Sequence, residues 1–416
     1  MKGDPPVELR VILGNTRRMR NRLNFKRLKS RSLILGFWFS FFLFFDARNV
    51  HAYPNTIGYG YGSCTTCHFN SNGNGPLTDY GRALFATAIA AKPWIQAFGK
   101  TDEELGSSSG FLGRLQLPSL IRPFMGFRGM ALVSDIESGS LSTRVIPMDL
   151  HAGMVLKAFK DRVFLSGTAA YSPPPVGSSE SDSPTWITRE HILVVRPWKW
   201  LEVGAGLTDV AFGLRVPEHP AFIRSWNGLS MNDQSHGAWM TWSGRSGQLT
   251  VHGLTGNFLQ AADLRQKGVS ATGEIEVAEK IRLGASAMST TNDYRGRLLG
   301  AIHSRIGFTE GTSVIAQVGV NRESPVLTSL DETLGETFFL QSTFLLKRGW
   351  NLLFSFEQGT RDVLSGVQYF RAGPTLQVFP MQRLEFRFDL VASRLMGAEQ
   401  VDPDRIALQS QLHLSL

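Results

Sequence analysis

The stretch "RLEFRFDLVAS", residues 383–393, alternates strictly. Leu384, Phe386, Phe388, Leu390 and Ala392 share one face, and Arg383, Glu385, Arg387 and Asp389 share the other. A period of two marks an extended strand, whose successive side chains point to opposite faces. "RIALQSQLHLSL", residues 405–416, repeats the pattern. Ile406, Leu408, Leu412, Leu414 and Leu416 oppose Arg405, Gln409, Gln411, His413 and Ser415. In "NLLFSFEQ", residues 351–358, Leu352, Phe354 and Phe356 oppose Ser355 and Glu357. From about Arg122 to the end, this alternation replaces any helical period.

A soluble sandwich packs its apolar faces together and wets its polar faces. A membrane barrel turns the apolar face to lipid and the polar face to its lumen. Segment lengths and joint spacing favour the barrel. Sixteen strands are expected over 122–416: 124–134, 143–157, 162–171, 188–198, 201–213, 236–243, 248–257, 268–278, 281–290, 299–308, 313–321, 336–346, 350–359, 366–379, 383–394 and 404–416. Short joints such as "KD" at 160–161, "KW" at 199–200 and "EK" at 279–280 alternate with long ones such as 172–187, 214–235 and 322–335. Outer-membrane barrels have short periplasmic turns and longer outer loops. Trp198, Trp200, Trp239, Trp242 and Trp350 fall near strand ends, where an interfacial aromatic belt belongs. Asp149, His151, His191, Glu274, Arg282 and Arg387 are expected on the lumenal wall.

The front of the chain reads differently. "RRMRNRLNFKRLKSRS" precedes "LILGFWFSFFLFF" and then "DARNVHAYP". A basic region, a short apolar run and a small-residue exit describe a secretory signal peptide. Residues 1–52 are assigned to it, with the cut after Ala52 or Ala47 and translation starting at Met1 or Met19. This leader carries 11 Lys and Arg against 3 Asp and Glu, which is the whole net charge of +8. The remaining chain is balanced, so the basic excess is no argument for nucleic acid. Charged residues make up only 19% and mean hydropathy is -0.08, which suits a protein with apolar surface to cover.

Both cysteines of the chain lie in "SCTTCHFNSNGNGPLTDYGRALF", residues 63–85, as Cys64 and Cys67, with His68 directly after. Four-ligand zinc or iron–sulfur sites need more cysteines than exist here. An exported disulfide is one reading. C-x-x-C-H is also the attachment pattern of haem c, with His68 beneath the iron. One haem per chain is therefore expected in a small, mainly helical segment and linker, residues 53–121. The glycine–asparagine loop Asn70–Gly75 would approach the flat cofactor. Thr78 or Asp79 would cap a helix with Tyr80, Leu84, Ala88 and Ala91 on its apolar face. No His or Met lies between His68 and Met125. A second iron ligand would come from His51, from His151 or Met125 of the barrel, or from the amine of Tyr53, or the site would be open. The Tyr53-Pro54 start resembles cytochrome f, and that resemblance is what points to the N-terminal amine.

The haem motif followed by alternating strands resembles bacterial outer-membrane β-barrels fused to an N-terminal monohaem cytochrome segment. A terminal phenylalanine is common in such barrels, and Leu416 departs from it. The resemblance implies an outer-membrane cytochrome moving electrons at or across the membrane. Its partners would be a periplasmic or extracellular redox protein, including a multihaem cytochrome in the lumen, together with lipid and the assembly machinery. Two alternatives stand beside it. One is a porin or transport channel whose plug holds the haem or senses redox state. The other is a haem enzyme with an open iron, although no Ser-His-Asp set or paired carboxylates support catalysis. An electron carrier is favoured over a catalyst.

Overall fold

The computed structural model describes residues 54–73, 75–91, 101–111, 117–134, 141–175, 177–179, 183–218, 220–244, 246–326, 331–397 and 405–416. Residues 1–53, including the expected signal peptide and Tyr53, lie outside them.

The described strands, in chain order, are β1 (Ile121–Ser134), β2 (Ser142–Ala158), β3 (Val163–Ser172), β4 (Thr185–Ile187), β5 (His191–Trp198), β6 (Leu201–Thr208), β7 (Ser235–Ser243), β8 (Gly247–Gly256), β9 (Lys267–Ala278), β10 (Ile281–Thr291), β11 (Arg295–Gly307), β12 (Ser313–Pro325), β13 (Thr333–Lys347), β14 (Trp350–Thr360), β15 (Gln368–Met381), β16 (Leu384–Met396) and β17 (Arg405–Ser415). Each pairs antiparallel with its neighbour, and β4 and β5 both pair with successive parts of β3. They fill one position, so the wall has sixteen. β1 pairs with β2 on one side and with β17 on the other, Phe127 standing opposite both Leu150 and Leu414. The sheet is closed and has no free edge.

Burial is inverted relative to a soluble protein. Arg387 and Asp389 are 4% and 5% exposed, whereas Phe388 and Leu390, between and beside them, are 43% and 46% exposed. The apolar face is outside, as a lipid-facing wall requires. Trp198 and Trp200 stack at the short joint with ring centroids 5.2 Å apart, and Trp242 is also exposed. Trp239 departs from the expected belt: it points inward and is buried, its indole N–H donating to Glu202 at 3.2 Å. His191 departs in the opposite sense, lying on the outer face beside His236 with ring centroids 5.1 Å apart.

The expected strand 201–213 stops at Thr208. Residues 209–213 leave the wall and turn into the lumen. Gly213 adopts φ 60, a left-handed conformation that glycine reaches without a Cβ penalty.

Candidate functional site

Two insertions occupy the lumen. The first is the N-terminal segment. Its described elements are one or two turns long: 3₁₀ turns at Asn55–Tyr59 and Cys64–Thr66, a helix at Asp79–Leu84, a π turn at Phe85–Ile89 and a helix at Asp102–Ser107. The Thr78 hydroxyl accepts from Gly81 N and caps the first helix. Thr101 and Glu104 form a reciprocal capping box on the second. These pieces are not a separate helical domain: beyond one small cluster of their own, they pack on the barrel wall and hydrogen-bond to it. At the short-turn end, Lys280 Nζ donates to Gly58 O at 3.3 Å, Ser313 Oγ to Asn55 O at 2.9 Å and Arg348 Nε to Ala90 O at 2.8 Å. Deeper in, Arg305 Nη2 donates to Gly62 O at 2.7 Å. A Cβ at Gly62 would stand 2.2 Å from Arg282 Nε, so only glycine lets the backbone pass this guanidinium.

The loop Asn70–Gly75 is bound to the wall. Asn70 Nδ2 donates to Thr208 Oγ1 at 2.9 Å and to Glu190 Oε2 at 3.2 Å. Ser71 N donates to Glu202 Oε1 at 3.2 Å. Phe69 packs against Phe164, with ring centroids 5.3 Å apart, in a buried cluster with Phe124, Val155, Ile192, Val194 and Trp239. Full burial of such a ring stabilises by about 1.5–3 kcal/mol.

The second insertion is the loop between β6 and β7, which enters from the long-loop end. Val210, Phe212 and Leu229 pack on Leu254, Met288 and Leu299 of the wall, while Leu214, Val216 and Ile223 pack on Ile315 and Phe339. Charged hydrogen bonds hold its far side. Arg387 Nη1 lies 2.7 Å from Glu218 Oε1, and Phe222 N donates to Glu357 Oε2 at 2.6 Å. The two insertions meet where Asn72 Nδ2 donates to Asp209 O at 3.2 Å and Arg215 Nη1 donates to Asn72 O at 3.3 Å.

What they leave open is a cavity of about 500 Å³. It runs from Gly311 and Gln382 at the short-turn end to Leu229 and Gln234 of the inward loop. A smaller space of about 140 Å³ lies between the insertions, against Gln248, Glu274, His303 and Arg305. Charged and apolar side chains both line the larger one. Arg82, Arg128, Arg189, Arg215 and Arg224 line it, together with Asp149, Glu190 and Asp209.

His68 and His151 both line this larger cavity. His68 Nδ1 lies 3.3 Å from Gly75 O. His151 Nδ1 lies 2.5 Å from Asp149 Oδ2, and its ring rests beside Phe124. Cys64 and Cys67 are free thiols, not a disulfide. Cys67 is 7% exposed and packs with Tyr61, Leu77 and Leu84. Burial pushes its thiol up to about 12 and raises that of Cys64 as well, so both are neutral groups in the packing of the plug.

The chain has the porin-like fold of bacterial outer-membrane barrels, as its similarity to solved structures shows. OmpT of Vibrio cholerae, folded in vitro, shares 8% identity over 71% of this chain and 97% of its own, with a TM-score of 0.54. An anion-selective porin from Comamonas acidovorans shares 7% over 71% and 99%, at 0.53. OprB of Pseudomonas putida shares 11% over 80% and 100%, at 0.51. No protein-family model and no curated protein matches the chain.

These findings correct the expectation of haem c, of a cytochrome and of electron transfer. Among the described residues, no group of three or more His, Cys, Asp and Glu side chains gathers to hold a metal ion. The solved structures that the fold resembles include an anion-selective porin and an outer-membrane channel. The Asn70–Gly75 loop, expected against a flat cofactor, is engaged with Glu190, Glu202 and Thr208 of the wall. The helix face is also reassigned. Tyr80 is 51% exposed, while Phe85, Ile89 and Ala90 pack against Phe379.

The inward loop and its Arg215 and Arg224 were not anticipated. The sequence does carry a signal that the lumen is filled, though not of this loop in particular. "HILVV", residues 191–195, is apolar on both faces, as are Leu352 and Leu353. A wall strand that faces open water on one side does not need that.

Proposed function

We propose that the protein is a porin-type outer-membrane channel for small polar solutes, narrowed by an N-terminal plug and an inward loop. The observation that carries this reading is the cavity of about 500 Å³, which runs beside the plug from the short-turn end to the inward loop. A sixteen-stranded barrel encloses more space than its own side chains fill. Here two insertions reduce it to a passage with charged walls, which selects by size and charge.

The test is conductance in planar bilayers. The full chain is expected to give small, steady steps, and deletion of residues 54–111 is expected to give larger ones. Barrels of native circular dichroism that conduct no more than lipid alone, with or without the segment, would refute the channel.

A further inference from the structure

We propose that the larger cavity is a binding station for small carboxylate solutes, centred on Arg224 of the inward loop. The inference rests on the channel reading and adds a substrate class to it. Arg224 is 5% exposed and lines both the larger cavity and the smaller one. Among the described residues its guanidinium makes a single hydrogen bond, from Nη1 to Phe212 O at 3.4 Å, and no ion pair. A buried cation with no carboxylate in ion-pair contact is costly: Asp209 and Asp233 act on Arg224 only from a distance, and a neutral carbonyl offsets little of that cost.

The carboxylates nearby are already engaged. Asp209 pairs with Arg215 and accepts from Gln234 Nε2 at 2.9 Å. Asp149 is taken by His151 at 2.5 Å and by Arg189 at 3.7 Å. Asp233 accepts from Ser230 N and Oγ at 2.8 and 2.7 Å. Burial lowers the Arg224 guanidinium only to about 10, so it stays protonated at neutral pH.

A carboxylate fits the planar fork of a guanidinium through two parallel hydrogen bonds. Carbon is favoured over an inorganic oxyanion because Leu77, Phe124, Val216 and Leu229 also line the cavity. About 500 Å³ admits a small organic acid.

Titration of the detergent-solubilised full chain with succinate tests this, with inorganic phosphate and glucose as comparators. Saturable succinate binding is expected, weaker by tenfold or more in Arg224→Gln and by several-fold in Arg224→Lys. The lysine variant keeps the charge but loses the fork, so it decides the question if the glutamine variant does not fold. No saturable binding, unchanged affinity in a folded Arg224 variant, or phosphate binding as tightly as succinate would overturn the proposal. Conductance separates the two readings. A conducting barrel that binds no succinate refutes the carboxylate station alone, and succinate binding without conductance refutes the channel alone.

Discussion

Replacing Glu202 by alanine is expected to loosen the plug before it loosens the barrel. Glu202 is 4% exposed and accepts from three residues. Arg196 reaches it through Nε at 2.9 Å and Nη2 at 2.8 Å, Trp239 Nε1 at 3.2 Å and Ser71 N at 3.2 Å. Two of these partners belong to the wall and one to the plug. Breaking a buried ion pair from one side costs about 3–5 kcal/mol. The Arg196 side chain is 23% exposed, and water recovers part of that loss. The plug loses one hydrogen bond to a charged acceptor, about 1.5–3 kcal/mol. At about 1.4 kcal/mol per tenfold, local opening around Ser71 should rise roughly 10- to 100-fold. Hydrogen exchange of the amides at 69–73 measures this directly. Glu202→Gln keeps an acceptor for Ser71 N and should raise exchange less. Unchanged exchange at 69–73 in a folded Glu202→Ala barrel would refute the assignment of this carboxylate as a plug anchor.

Phe69→Ala empties the plug's place in the lumenal apolar cluster and should cost about 3–5 kcal/mol, seen as faster proteolysis of the N-terminal segment. Gly204→Val places a Cβ 2.1 Å from the Trp239 ring, and the forced shift should cost about 1–3 kcal/mol, read from the temperature at which the unboiled form converts on a gel. Asp79 accepts two bonds from Arg122, at 2.6 and 2.7 Å, and this guanidinium holds its carboxyl below the ordinary range. The depressed value means that the contribution is present at neutral pH and is lost as pH falls through the folded-state value. The Asp79 side chain is 56% exposed, so Asp79→Asn should weaken plug docking by only about 0.2–1 kcal/mol, and that difference from the parent should vanish in strong acid. Trp198→Ala with Trp200→Ala should lower the yield of inserted barrel in liposomes while leaving the plug's proteolysis pattern unchanged.

Strand periodicity was legible because it is local. Sixteen alternating runs correspond to sixteen wall positions, and short joints such as 199–200 and 279–280 fall between paired strands. The error at 209–213 has a local cause too, since Val210 and Phe212 keep a strand-like apolar rhythm while serving a loop. The lumen was far less legible. Ser71 meets Glu202 across 131 positions and Arg305 meets Gly62 across 243, and no window of sequence contains such pairs. The C-x-x-C-H spacing pointed to haem attachment at Cys64–His68, and the porin-like fold and the absence of a metal-holding cluster among the described residues overturn that reading. Arg224 carries no pattern of its own. Its significance comes from being placed between two cavities with its nearby acids already engaged.

The closure of β1 on β17 constrains how the molecule is made. The plug precedes β1 in the chain, and the seam of eight facing residue pairs, Gly126–Val133 with Ser415–Leu408, joins the first and last of the described strands. Once that seam is zipped, the N-terminal segment can reach its seat only through the short-turn mouth. There it must pass Arg305, Arg282 and Arg348 without capture in the wrong register. If the wall instead curls around a segment already in place, the same arginines meet that segment before the final ladder closes. Either order gives the interior a history. The seating of the N-terminal segment is then a step of barrel closure as well as of equilibrium docking.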